Sequence, residues 1–139
     1  MTPKEECEEL LNALLPFAIN QLKKHGEFYP FGAVLNNKSE VILTAVDSGD
    51  DHPDSTDMIN RLTEAHSEQA KQSEIIASGI CWNASVSNEN GVKSDAIIIS
   101  LEHRDDYSVI VGQPYKMGLF KKVNLKSLFA QKGKHDIFS

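Results

Sequence analysis

Residues 75–113 constrain the fold most, because they form three successive patterns typical of β-strands, separated by short polar turns. In the first and longest of them, apolar side chains alternate with small or polar ones. The residues predicted to share one face are Ile76, Ile80, Trp82, Ala84 and Val86. Strands joined by such short turns pair antiparallel, so the segment predicts a three-stranded meander. The predicted strands are Ile75–Val86, Ala96–Leu101 and Tyr107–Gln113.

A long helix is predicted at the start of the chain. Thr2 is a candidate N-cap, Pro3 suits the first helical position, and Glu5 completes a capping box. Apolar residues then recur every three or four positions until Gly26, which is a typical helix stop. Pro16 interrupts the pattern, so we expect a kink or two short helices there.

The remaining elements complete an α+β fold. Two strands are predicted before the meander, Phe31–Leu35 and Glu40–Val46, followed by a helix from Asp54 or Ser55 to about Ser73. After the meander we expect a short strand or a helical turn, and a loose tail over residues 131–139. The order α-β-β-α-β-β-β-(β/α) predicts one domain, residues 1–139, with helices on a single antiparallel sheet of about five strands.

Charge and composition disfavour several classes of partner and location. The chain of 139 residues has a formal net charge of −6, which disfavours binding to nucleic acid and to an anionic membrane surface. Neither a secretory signal nor an apolar run long enough to span a membrane is present, so we expect a cytoplasmic protein. Cys7 and Cys81 form no CxxC pair and are expected to be buried thiols.

The chain contains the blocks GEFYPFGA (26–33), DHPDS (51–55), KSDAI (93–97), EHRD (102–105) and PYK (114–116). Together these five blocks resemble a family of small uncharacterised bacterial proteins. This resemblance implies that the chain is a bacterial cytoplasmic protein and shares the fold of that family. It implies no reaction and no catalytic residue. The element order is also similar to that of roadblock and profilin-like domains, an observation that concerns fold rather than function.

An acidic loop over Asp47–Asp57 is a weak candidate for a divalent-cation site, since hard cations prefer clustered carboxylate oxygens. Its spacing does not match a calcium loop, and no zinc motif accompanies it. We therefore favour a solvated loop that caps the second helix, and we predict neither a bound metal nor a cofactor. The candidate ligands are Asp47, Asp50, Asp51 and Asp54.

The charged segment Glu102–Asp106 lies between two predicted strands. His103 lies beside carboxylates in the sequence, and a histidine with a carboxylate partner can act as a general base. A charged run at a tight turn is more typical of a solvated tip, and this is the interpretation we favour.

Two aromatic segments provide candidate binding residues. Tyr29 belongs to an aromatic cluster that enters the first strand, and Tyr115 and Lys116 follow the last strand of the meander. Aromatic and cationic groups dominate interface energetics, so we predict that Tyr29 and Tyr115 share one exposed patch with His52 as a polar neighbour.

The sequence favours a non-enzymatic protein-interaction module that binds a second copy of itself or another protein. One alternative is a metal-dependent or small-molecule enzyme that uses the loop Asp47–Asp57 and His103. Another is an immunity or inhibitor protein that masks a toxin by charge complementarity.

Overall fold

The computed structural model describes residues 1–47, 49, 51 and 53–139. Within these residues the chain forms two α-helices, one 3₁₀ turn and seven β-strands. The helices are α1 (Pro3–His25) and α2 (Ser55–Lys71), and the 3₁₀ turn is Leu119–Lys121. The strands are β1 (Phe31–Asn36), β2 (Val41–Thr44), β3 (Ile75–Ser87), β4 (Lys93–His103), β5 (Tyr107–Met117), β6 (Val123–Leu125) and β7 (Phe129–Lys132).

All the strands belong to one antiparallel sheet with the order β2-β1-β3-β4-β5. Beyond β5, β6 pairs with residues 115–117 and β7 pairs with residues 109–112. The predicted α+β class with an antiparallel sheet is confirmed. The expected number of about five strands is wrong, because the described residues after β5 supply two more.

Helix α1 begins and ends at the expected residues. Thr2 Oγ1 accepts a hydrogen bond from the Glu5 N–H at 3.1 Å, and Gly26, at φ 76°, ends the helix in the left-handed conformation. The helix continues through Pro16, so the expectation of two short helices is wrong. Pro16 has no N–H to donate to the carbonyl of Asn12, four residues before it. Both residues are exposed, so water can bind this carbonyl instead.

The sheet is packed on both faces. Helix α1 covers one face over the larger core, which includes Leu14, Ala33 and Cys81. Helix α2 lies on the other face over a smaller core that contains Leu62 and Ile80. Trp82 packs against this second core as predicted for its strand face, but it is only partly buried.

The last residues of the chain are packed against the sheet, so the expected loose tail over residues 131–139 is wrong. Strand β7 extends to Lys132, and Ile137 is buried in the smaller core. Residues 136–138 donate backbone hydrogen bonds to a buried carboxylate of β4, which gives this segment fixed partners.

Both cysteines are free and buried, as predicted. Burial raises the pKa of Cys7 to about 12, with a smaller contribution from the carboxylates of Glu6 and Glu102, and burial also raises the pKa of Cys81. None of the helices formed by the described residues is long and apolar enough to cross a membrane.

Substitution of Gly112 tests the packing of β7 on β5. A Cβ atom at Gly112 would overlap the ring of Phe129, which lies across it. We expect Gly112→Ala to lower the free energy of unfolding by about 1–3 kcal/mol, because the ring has to move. In a Phe129→Ala background the same change should cost less than about 0.5 kcal/mol. Denaturant unfolding of the wild-type chain, the two single variants and the double variant measures this, and equal costs in both backgrounds would show that the ring does not occupy this position.

Candidate functional site

Strand β2 presents apolar side chains at the edge of the sheet. Val41, Ile42 and Leu43 are 37%, 47% and 50% exposed. One side of β2 pairs with β1, and within the described ranges no strand pairs with its other side. Successive side chains of a strand point to opposite faces, so both faces of this edge are apolar. Unpaired backbone groups beside apolar side chains make this edge a template for another strand.

An aromatic groove of about 350 Å³ lies between the end of α1 and the start of β1. The ring of Phe31 packs against Phe17 and Phe28, with centroid distances of 4.9 and 5.9 Å. Tyr29 lines the groove and is 47% exposed, as expected for a contact residue. Phe31 begins β1, and the next residue, Gly32, pairs with Thr44, so the groove lies toward the Thr44 end of β2.

Tyr115 is buried, so the predicted exposed patch of Tyr29 and Tyr115 does not form. Its side chain packs in the core under α1, and its hydroxyl donates a hydrogen bond to Asn83 Oδ1 at 2.8 Å. Burial raises the pKa of Tyr115. Its neighbour Lys116 is exposed, because consecutive residues of β5 point to opposite faces.

The described part of the acidic loop has local structural roles. Asp47 Oδ1 accepts a hydrogen bond from the backbone N–H of Gly49 at 2.8 Å. Asp54 caps α2 as predicted, since its carboxylate accepts a hydrogen bond from the Thr56 N–H at 3.3 Å. Both bonds stabilise turns of the backbone.

The cation-site prediction is only partly covered by the structure. Asp50 and His52 lie outside the described residues, so the predicted proximity of His52 to Tyr29 stays a prediction. Asp51 is exposed. Among the residues with described positions, no group of three or more His, Cys, Asp or Glu side chains is arranged to hold a metal ion.

His103 is buried, so its interpretation as part of a solvated tip is wrong. Its Nδ1 accepts a hydrogen bond from the Asp105 N–H at 3.0 Å, which leaves the ring proton on Nε2. Nε2 donates to Glu6 Oε1 at 3.1 Å and joins β4 to the first turns of α1. Both ring nitrogens are therefore used in structural hydrogen bonds.

Glu102 is also buried, and its side chain points to the opposite face from His103. Its carboxylate accepts hydrogen bonds from three consecutive backbone N–H groups, those of Asp136 at 2.8 Å, Ile137 at 2.7 Å and Phe138. Three donors offset the cost of burying the carboxylate. The expectation of a solvated turn holds only for Arg104–Asp106, which are exposed.

His66 is the centre of a buried hydrogen-bond network that was not predicted from the sequence. His66 Nε2 lies 2.8 Å from Thr44 Oγ1, and Nδ1 lies 2.7 Å from Ser78 Oγ. Burial lowers the pKa of His66 to about 4, so the ring is neutral near pH 7. The burial of His66 could have been predicted from its position four residues after Leu62, on the buried face of α2.

A cavity of about 80 Å³ lies beside this network, between α2, the sheet and the segment around Ile137. Its polar wall includes Ser78, which bonds His66, and Glu102, which is bonded by three backbone N–H groups. The volume admits only a few water molecules. This cavity is therefore a weaker candidate site than the exposed edge of β2 with its aromatic groove.

The buried ring of His66 predicts a pH dependence of stability. In the folded chain its pKa is lowered from 6.5 to about 4, so between these values the unfolded chain binds a proton that the folded chain does not. The free energy of unfolding should therefore fall as the pH drops through this window, by about 2–3 kcal/mol at about pH 4.5. Urea unfolding at this pH and at about pH 7 measures the change. His66→Gln should lack this component, and an identical pH profile in both proteins would contradict the prediction.

Alanine substitutions of the neighbouring residues His103 and Arg104 should change the free energy of unfolding by very different amounts. His103→Ala removes a buried ring and the partner of Glu6, so we expect a loss of about 2–4 kcal/mol. Arg104→Ala, at an exposed position, should change stability by less than about 0.5 kcal/mol. Thermal or denaturant unfolding compares the two variants, and a loss below about 1 kcal/mol for His103→Ala would restore the solvated-turn interpretation.

Comparison with protein-family models, curated proteins and solved structures gave no match. The resemblance of the five sequence blocks to a family of small bacterial proteins therefore stays a prediction.

Proposed function

We propose that this chain is a protein-interaction module that pairs with a second copy of itself through β2. The observation that supports the proposal is the edge strand with three consecutive exposed apolar residues, Val41, Ile42 and Leu43. Proteins usually protect such edges with charged residues, proline or a covering element, and β2 itself contains no charge and no proline.

A symmetric pairing of two β2 strands is compatible with the charges around them. A two-fold axis perpendicular to the sheet makes the strands antiparallel and places side chains of the same face opposite one another. If the axis passes through Leu43, Val41 lies opposite Ala45 of the second copy, and Glu40 lies opposite Val46. No carboxylate then faces another carboxylate, although each chain carries a net charge of −6.

The aromatic groove extends the proposed contact beyond the strand. A four-residue strand is short for an interface, since stable complexes bury about 800 Å² on each partner. Phe17 and Tyr29 add exposed aromatic surface near the same edge, and aromatic residues often dominate binding energy. We therefore include both rings in the proposed interface.

The contacts of His103 argue against its role as the general base of an enzyme. Both ring nitrogens of His103 are occupied, by Glu6 and by the Asp105 N–H. An immunity or inhibitor protein remains compatible with the same edge, because a strand of a different protein would pair with β2 by the same contacts.

Light scattering coupled to size-exclusion chromatography tests the self-association. We expect a mass near twice 15.4 kDa for the wild-type chain. Leu43→Lys places a charge at the centre of the proposed contact and should yield a monomer. Val92→Lys is the matched control, since Val92 is 57% exposed in the turn between β3 and β4, and it should remain dimeric.

Circular dichroism should show that both lysine variants are folded. A wild-type monomer at concentrations of about 100 µM, well above a micromolar dissociation constant, would exclude the homodimer. Loss of the dimer in Val92→Lys but not in Leu43→Lys would place the interface elsewhere.

A further inference from the structure

Positive charge is concentrated in the last part of this acidic chain. Residues 116–139 contain six lysines and a single acidic residue, Asp136. The other 19 acidic residues precede them. The net charge of −6 therefore conceals a basic segment, which forms the end of β5, β6, β7 and the turns between them.

The turn between β5 and β6, residues 118–122, carries the most exposed apolar side chains of this segment. Leu119 is 83% exposed and Phe120 is fully exposed. The turn is closed by hydrogen bonds from the Gly118 N–H to Lys122 O at 2.7 Å and from the Lys122 N–H to Leu119 O at 3.2 Å. Phe120 and Lys121 both have φ of 57°, an uncommon conformation for residues with a side chain. The backbone thus holds two apolar side chains in water at some cost in strain.

Lysines surround this turn. Lys121 and Lys122 belong to it, and Lys116 is exposed near the end of β5. Lys121 Nζ donates a hydrogen bond to Lys24 O at 3.1 Å, which places the basic end of α1, with Lys23 and Lys24, beside the turn.

We propose that the turn 118–122 binds the surface of an anionic lipid bilayer. Leu119 and Phe120 enter the interfacial region, and the surrounding lysines contact the negatively charged headgroups. The contact is peripheral and needs no membrane-spanning helix.

Three properties of the turn favour a bilayer over a protein partner. The permanently charged basic residues around it are lysines and not arginines, and lysine is depleted in protein interfaces but suited to a diffuse anionic surface. The two apolar side chains project from a tight hairpin turn instead of lining a groove. Phenylalanine and leucine beside lysine are also the residue types by which interfacial segments bind membranes.

The net charge of −6, which disfavours binding to an anionic membrane surface, is an average over the whole molecule. At physiological salt, charges farther apart than about 8 Å are largely screened, so a bilayer responds mainly to the lysines nearest to it. The acidic residues of α1's first turn, Glu5 and Glu6, lie at the opposite end of that helix from Lys23 and Lys24.

Sedimentation with vesicles tests the proposal. The wild-type chain should sediment with phosphatidylcholine vesicles that contain phosphatidylserine, but not with phosphatidylcholine alone, and added salt should weaken binding. Lys116→Glu with Lys122→Glu should reduce the partition coefficient about 25-fold or more, since each lysine contributes about fivefold. Phe120→Ser should also reduce binding, because it removes the inserted ring.

Matched controls separate a local contact from a general effect of charge. Lys38→Glu with Lys71→Glu changes the net charge equally at two exposed positions outside the basic segment, and this variant should bind like the wild-type chain. Val92→Ser is the corresponding control for the loss of an exposed apolar side chain. Circular dichroism confirms that each variant is folded.

Several results would overturn the proposal. One is a wild-type chain that stays in the supernatant with phosphatidylserine vesicles. Another is an equal loss of binding in the two double-lysine variants. Retention on heparin or DNA without vesicle binding would likewise show that the turn recognises a polyanion other than a bilayer.

Discussion

Two neighbouring side chains of β4 hold together parts of the chain that are far apart in sequence. Glu102 and His103 point to opposite faces of the sheet because they are consecutive in a strand. His103 binds Glu6 of α1 on one face, and Glu102 binds the backbone of residues 136–138 on the other. Both side chains are buried, so removal of either leaves polar partners without compensation. The pair therefore links α1 to one face of the sheet and residues 136–138 to the other.

The elements that the sequence predicted well are those encoded locally. The capping box at Thr2, the apolar stripe of α1 and the glycine at its end act within a few residues of one another, and the structure contains all three. The alternation in β3 likewise depends only on neighbouring residues, and it placed Ile80 and Trp82 correctly on one face. It was wrong for Ile76, which packs in the core under α1 because the pairing of β3 with β1 is irregular at this point. Local patterns therefore predicted both helices, the five strands β1–β5 and the α+β class.

The features that the sequence did not reveal depend on contacts between distant residues. The charged run at Glu102 and His103 was interpreted as solvated, because the donors and acceptors that compensate its burial lie 34 and 97 residues away. Tyr115 was expected at a surface, yet it packs under α1. Part of the candidate site was predictable, since Tyr29 is exposed and β2 was expected as a strand. Its position at the edge follows from the strand order, which no local pattern encodes.

The hydrogen bonds to Glu102 have a consequence for synthesis on the ribosome. A nascent chain released only as far as residue 132 already contains both helices and all the strands found among the described residues. It lacks the three N–H donors of residues 136–138 and the side chain of Ile137, which is buried in the smaller core. The hydrogen bonds to Glu102 and the packing of Ile137 can therefore form only after these residues have left the exit tunnel.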